Sequence, residues 1–314
     1  MFADPRTGEA LRDATAADRV HANAPLANLT TFRVGGPADW LVETRGTDEL
    51  LRVLQVARAH GLPLTMLGGG SNVLIGDRGI RGVVVRARGG EIRASGPEHV
   101  EADAAITING LVRWTVGRGL AGLEAWAGTP GTVGGAVCGN AHFGGQLIGD
   151  LVHRVQLVGV DGRVQRVEQP AMEFGYDRSR LQRTHDVLLS ATFRTSRGEP
   201  EALRAIARAS LAFRKRTQPL ETPSAGCIFQ NPDAARDRVP EAIPPSAGAL
   251  VDRAGLKGRT LGGARVSPTH GNFIVNTGGA TAAEIRQLVE SCRDEVARRF
   301  GVELREEIVY LGEF

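Results

Sequence analysis

Two short glycine-dense runs constrain this chain more than any other feature. Gly68-Gly69-Gly70-Ser71-Asn72 follows a short apolar stretch, Leu64 to Leu67, and leads into another. Gly128-Thr129-Pro130-Gly131-Thr132-Val133-Gly134-Gly135-Ala136 repeats that chemistry on a longer loop. Glycine has no Cβ, so successive backbone amides can turn toward an anion and a pyrophosphate can approach the main chain closely. Each run therefore reads as a phosphate cradle, although a tight turn between two buried strands accounts for the pentapeptide equally well. Two such loops in one region favour an extended dinucleotide. The candidate cofactor residues are Gly68, Gly69, Gly70, Ser71 and Asn72, with Gly128, Thr129, Pro130, Gly131, Thr132, Gly134 and Ala136. A third pattern, Gly117-Arg118-Gly119-Leu120-Ala121-Gly122, has the spacing of a dinucleotide fingerprint. That fingerprint needs a strand before it, whereas Leu111 to Val116 reads as a helix stopping at Gly117.

Around these loops, strand and helix signals alternate to about Thr195, which predicts an α+β arrangement of more than one subdomain. Residues 47–60 read as an amphipathic helix with Thr47 as its cap and Asp48 and Glu49 in its first turn. Leu50, Leu51, Val53, Leu54 and Ala57 form its apolar face. Residues 64–67 and 82–85 read as strands. A second unit opens with a helical pattern over 201–213 and includes a Pro-rich surface loop, 240–245. Thr281-Ala282-Ala283-Glu284 is a capping box that starts a helix running to Phe300, with Gly301 as its stop. Residues 303–311 alternate as a closing strand. Residues 1–24, polar and rich in Ala, Asp and Arg, read as a loosely attached leader.

At 314 residues the chain exceeds one ordinary hydrophobic core. Apolar residues make up 42% and charged residues 23%, with neither a bilayer-length apolar run nor a signal-peptide start. The expected location is the cytoplasm, away from the membrane. The net charge of +3, from 38 basic and 35 acidic residues, is too balanced and scattered for a nucleic-acid footprint and is compatible with a small anionic substrate. Cys138, Cys227 and Cys292 are odd in number and far apart, which argues against disulfides and against a metal site.

Candidate chemical residues lie in the second half. In Ser224-Ala225-Gly226-Cys227-Ile228-Phe229-Gln230-Asn231-Pro232 a cysteine follows small residues that leave room for a ligand. Cys227 can serve as nucleophile or proton donor, and a small buried packing residue is the commoner fate of such a cysteine. Arg214-Lys215-Arg216 and Gln218 can meet a diphosphate or simply form a solvated face. Strand alternation sets Glu307 on one face with Val309 and Leu311, where a carboxylate would have a raised pKa suited to acid catalysis; a salt-bridged glutamate fits equally well.

Together these segments resemble a known family. Thr30-Thr31-Phe32-Arg33-Val34-Gly35-Gly36, the run from Gly68 to Leu74, Gly122-Leu123-Glu124, the run from Gly128 to Ala136, that from Ser224 to Pro232, Gly262-Gly263-Ala264 and that from Leu304 to Gly312 are similar, in order and position, to blocks of UDP-N-acetylenolpyruvoylglucosamine reductases, the MurB family. The resemblance covers the chain from about Asn28 onward. It implies an FAD-binding fold of the p-cresol methylhydroxylase and vanillyl-alcohol oxidase type. The FAD-binding domain would span 25–198, in subdomains of about 25–90 and 91–198. A substrate-binding domain would span 199–302, and a C-terminal strand, 303–314, would carry Glu307.

The activity implied is NADPH-dependent reduction of UDP-N-acetylglucosamine enolpyruvate through FAD, for peptidoglycan synthesis and hence cell-wall formation, cell shape and division, by a monomer. The resemblance implies Cys227 as proton donor, at a position that is serine in many members, and Glu307 as the residue assisting enolate stabilisation. It implies substrate contacts from Tyr176, Arg214, Gln218 and Asn231. Two departures stand out. Where the family shows Phe-Gly-Tyr-Arg-x-Ser, this chain has Phe174-Gly175-Tyr176-Asp177-Arg178-Ser179, so Arg178, with Arg180 in reserve, is expected to polarise the substrate carboxylate. Asn140-Ala141-His142-Phe143-Gly144-Gly145 is one residue shorter than Asn-Ala-Gly-Ala-Tyr-Gly-Gly. The displaced arginine keeps open a catalytically altered paralogue that binds flavin or UDP-sugar. Another alternative is an FAD-linked oxidoreductase of the same fold with a different substrate.

Overall fold

The computed structural model describes residues 5–314 as two compact units. One takes the residues up to Asn23, Asp39–Gly69 and Gly82–Phe213; the other takes Ala24–Ala38, Gly70–Arg81 and Arg214–Phe314. Among the described residues no helix is long and apolar enough to cross a membrane.

Among the described residues the first unit is built on two large sheets, of four and five strands, each with its own core. The strands of one run in the order Val20–Pro25, Pro37–Arg45, Ile80–Arg88, Leu64–Met66, the last pair parallel. The other orders Val164–Glu168, Val152–Val158, Val187–Arg194, His99–Asp103 and Ile92–Ala94, antiparallel throughout. Trp40, Val42, Val83 and Val85 alternate inward from the first sheet onto Leu50, Val53 and Ala57 of the helix Gly46–Ala59. That helix begins one residue before the expected cap. Arg45 holds the cap position without a side-chain cap, and the Glu49 carboxylate reaches back to accept its amide at 2.7 Å.

The stretch read as a loose leader is instead built into this core. Pro5–Ala14 is a helix whose Leu11 is fully buried, and Val20–Pro25 is the outermost strand of the first sheet. The helix offers a narrow stripe to the core, Thr7, Gly8, Leu11 and Ala14, and a Cβ on Gly8 would come within 2.5 Å of the Trp40 ring. That stripe holds one large apolar residue in an otherwise polar segment, so composition alone reads the segment as a loose leader although its apolar residues share one helix face. Residues 1–4 of the expected leader lie outside the described residues.

The second unit packs the helices Ala247–Arg253 and Ala282–Phe300 against a three-stranded sheet ordered Thr260–Leu261, Ala264–Val266, Ile274–Asn276. The capping box at Thr281 and Glu284 is present, and Gly301 ends the long helix in the left-handed conformation, φ 66°. Asp77 adds a second cap, accepting the amides of Ala282 and Ala283 at 2.8 and 3.0 Å. This unit begins at Arg214, inside the helix Pro200–Thr217, rather than at 199, and it recruits 24–38 and 70–81 from the N-terminal half. The recruitment is made by pairing: Val309–Leu311 forms a parallel ladder with Val73–Ile75.

Only Val309–Leu311 of the expected closing strand is regular. Val302, Leu304 and Ile308 are the buried residues of this segment, while Val309 is 42% exposed. Alternation through 307, 309 and 311 therefore does not describe an apolar face, because residues 305–307 pair with 228–230 while the strand that follows pairs with 73–75.

Candidate active-site elements

In the first unit the two glycine runs meet. A Cβ on Gly69 would lie 2.7 Å from the Gly131 Cα, and one on Gly68 would lie 2.7 Å from Thr132 Oγ1. Backbone bonds zip the second run to residues 104–108: Ile108 donates to Gly131, Val133 to Ile106 and Gly134 to Ala104. Asn109 braces its near end, accepting the Gly128 amide at 2.7 Å and donating to the Thr129 carbonyl at 3.1 Å. Over these loops opens a cavity of about 450 Å³, lined by Gly68, Gly69, Gly131 and Thr132 with Arg86 and Arg88. Both arginines lie near one carboxylate, Glu43, at 3.6 and 3.7 Å. Burial pushes the Arg86 guanidinium down, helped by Arg88 and opposed by Glu43. Two cations against one anion leave the cavity wall net positive. Glycine floor and positive wall together suit the diphosphate of a dinucleotide such as FAD.

Not every predicted cofactor residue lines this cavity. Gly134 packs on Ala104 and Ala136 is buried in the core, so both serve the loop's own packing. Gly70, Ser71 and Asn72 belong to the other unit, where Gly70 adopts φ 61° and a Cβ on it would meet the Leu29 carbonyl at 2.1 Å. Arg86 and Arg88 escaped the sequence reading; their signal was a strand of valines ending in charge beside Gly89 and Gly90.

The first unit also holds the turn from Gly175 to Arg178, closed by Gly175 N–H to Arg178 O at 2.9 Å and Arg178 N–H to Gly175 O at 3.1 Å. Asp177 has φ 53°, in the left-handed region that aspartate tolerates better than most residues. Its carboxylate lies 2.9 Å from His142 Nδ1, and the Tyr176 hydroxyl lies 3.2 Å from His142 Nε2. Arg178 is exposed, with its guanidinium over Gly175. Arg180 instead pairs with the buried Asp186 at 3.2 Å.

In the second unit the structure brings the Cys227 and Glu307 segments together. Glu307 N–H donates to Ile228 O at 2.8 Å, Gln230 N–H donates to Arg305 O at 2.8 Å, and Phe229 bridges Glu306. On the other side the buried Asn272 clamps the same segment, accepting the Phe229 amide at 2.9 Å and donating to its carbonyl at 2.7 Å. Cys227 is thus held one residue from a doubly secured backbone. Asn72 Nδ2 donates to the Glu307 carbonyl at 3.2 Å, tying the end of the first glycine run to the same place.

Arg214, 6% exposed, stands apart from its exposed neighbours Lys215 and Arg216. Burial pushes its guanidinium down to about 10, opposed by the Cys227 sulfur, so it stays charged at neutral pH close to that cysteine. Gln218 follows the helix end, its amide donating to the Arg214 carbonyl at 2.9 Å. Asn231 is exposed, and its Oδ1 accepts the Ala247 amide at 3.1 Å, the start of a helix. Asn272 was missed in the sequence, since a single asparagine carries no pattern.

The family model described as UDP-N-acetylenolpyruvoylglucosamine reductase, C-terminal domain, matches residues 218–311, and one described as FAD binding domain matches 38–168. The chain is 40% identical over 295 residues to the UDP-N-acetylenolpyruvoylglucosamine reductase of Moorella thermoacetica, covering 94% of each. It is 37% identical over 290 residues to that of Heliobacterium modesticaldum, covering 92% of this chain and 90% of the relative. The crystal structure of the Thermus caldophilus enzyme matches with a TM-score of 0.78 at 32% identity, over 93% of this chain and 99% of that one.

Proposed function

The chain belongs to the UDP-N-acetylenolpyruvoylglucosamine reductase family, and on that premise we propose that Cys227, Glu307 and Arg178 carry its reaction and that NADPH supplies the electrons. The protein is an FAD-dependent oxidoreductase that reduces UDP-N-acetylglucosamine enolpyruvate to UDP-N-acetylmuramate in peptidoglycan synthesis. The observation that carries the residue-level reading is the pairing of 228–230 with 305–307, which secures Cys227 beside the Glu307 segment.

FAD, when bound, would supply the hydride chemistry for reduction at the terminal enolpyruvyl carbon. Cys227 gives a proton from its thiol to the carbon beside the carboxylate, so hydride and proton together saturate the double bond. Glu307, as a neutral carboxyl, donates a hydrogen bond toward the negative charge that develops there, and Arg178 pairs with the substrate carboxylate. Arg214, Gln218, Asn231 and Tyr176 meet the UDP-sugar; the buried charge of Arg214 supports the first of these assignments. Gly68, Gly69, Gly131, Thr132, Arg86 and Arg88 hold the cofactor diphosphate. The same proposal takes the protein as a cytoplasmic monomer bearing on cell shape and division.

The function is tested by adding substrate and NADPH to the purified yellow protein and analysing the product by mass. A gain of two mass units over the substrate, matching UDP-N-acetylmuramate, is expected, and unchanged substrate contradicts the reading. The carboxylate assignment has its own test. Arg178→Ala is expected to lower kcat/KM about thirtyfold through loss of one charge-assisted pair. Arg180→Ala, which breaks the pair with Asp186, should act on the thermal midpoint instead. The reverse pattern contradicts the assignment.

A further inference from the structure

The side chains of Asp177 and His142, 35 positions apart in the sequence, are hydrogen-bonded at 2.9 Å. Asp177 is only 9% exposed, and the closed turn from 175 to 178 aims it. An ionised carboxylate only accepts, so Nδ1 of His142 bears the hydrogen. In the neutral ring, Nε2 is then the acceptor of the Tyr176 hydroxyl proton at 3.2 Å. The two rings also lie against each other, with centroids 4.6 Å apart.

Tyr176 is 43% exposed at the tip of a turn, where a phenol would otherwise sample several rotamers. We propose that Asp177 and His142 are positioning residues for Tyr176. They direct its proton to the imidazole and present its oxygen as an acceptor for a hydroxyl or amide donor of the sugar-nucleotide substrate. The inference rests on the reading of Tyr176 as a substrate contact. The aspartate that would repel a substrate carboxylate serves His142 instead. A second coordination layer of this kind fixes tautomer and orientation as it does for metal-bound histidines.

The test is a double-mutant cycle on the flavin-loaded enzyme, reading KM for UDP-N-acetylglucosamine enolpyruvate separately from kcat. Asp177→Ala and Tyr176→Phe are each expected to raise KM about tenfold, with a smaller effect on kcat, and Asp177→Asn to recover part of the loss. In the Tyr176→Phe background Asp177→Ala should add less than about twofold, because it acts through the hydroxyl already removed. His142→Asn, tested in the same two backgrounds, should behave like Asp177→Ala and keeps the test decisive if that variant folds poorly. Additive losses of about a hundredfold, or losses confined to flavin content and thermal midpoint, overturn the inference. If Tyr176→Phe raises KM and neither Asp177 nor His142 variants do, the positioning role alone falls. If Tyr176→Phe leaves KM unchanged while turnover persists, the substrate-contact reading of Tyr176 falls with it.

Discussion

Cys227→Ala is expected to lower turnover about a thousandfold, within the range that a positioned general acid contributes. The expectation rests on how firmly the backbone next to the cysteine is held. Asn272 holds Phe229 through both its amide and its carbonyl, and the Ile228 carbonyl takes the Glu307 amide on the opposite side. A donor carried next to so firmly held a backbone stays in place between turnovers, and a passing water does not make good its loss. Flavin content and the rate of flavin reduction by NADPH should stay at wild-type values, because neither needs the proton. Cys227→Ser should keep turnover within about tenfold and lose sensitivity to alkylating reagents, the thiol being the more acidic and more nucleophilic group. Steady-state turnover, set beside single-turnover flavin reduction, checks the claim. Equal loss in both half-reactions would mean that the substitution damages the fold rather than the chemistry.

Gly69→Ala is expected to weaken flavin binding about a hundredfold, so that the protein is purified largely colourless. The new Cβ would lie 2.7 Å from the Gly131 Cα and 3.3 Å from its nitrogen, and both belong to backbone. Gly131 cannot retreat cheaply, since its carbonyl takes the Ile108 amide at 3.1 Å and the residues after it are zipped to 104–106. The two loops must therefore part, and the cavity floor they form goes with them. Fluorescence titration of the apoprotein with FAD gives the affinity directly. Gly117→Ala, at a helix end where an added Cβ meets nothing within 4 Å, is the control expected to leave binding intact.

The glycine loops were legible because what they do is local: absence of a side chain is visible in the sequence whatever the chain packs against. The capping box at Thr281 and Glu284 and the stop at Gly301 were legible for the same reason. What escaped depends on partners far away in sequence. Arg86 and Arg88 become a positive wall only when their strand carries them to the glycine floor. Asn272 matters through Phe229, 43 residues away. Glu307 was read from alternation, yet its neighbourhood follows from pairing with residue 228 and from the Asn72 amide reaching its carbonyl. His142 and Asp177 stand in separate segments, and their pairing across 35 positions is visible only in the fold.

Anaerobic stopped-flow of the purified protein, with the flavin absorbance followed through both half-reactions, separates the assigned reaction from its alternatives. NADPH should bleach the flavin, and UDP-N-acetylglucosamine enolpyruvate, mixed with the reduced protein, should restore the colour at a rate that accounts for turnover. Bleaching without substrate-dependent recovery would contradict the assigned substrate, and a protein that holds no flavin would contradict the assignment altogether.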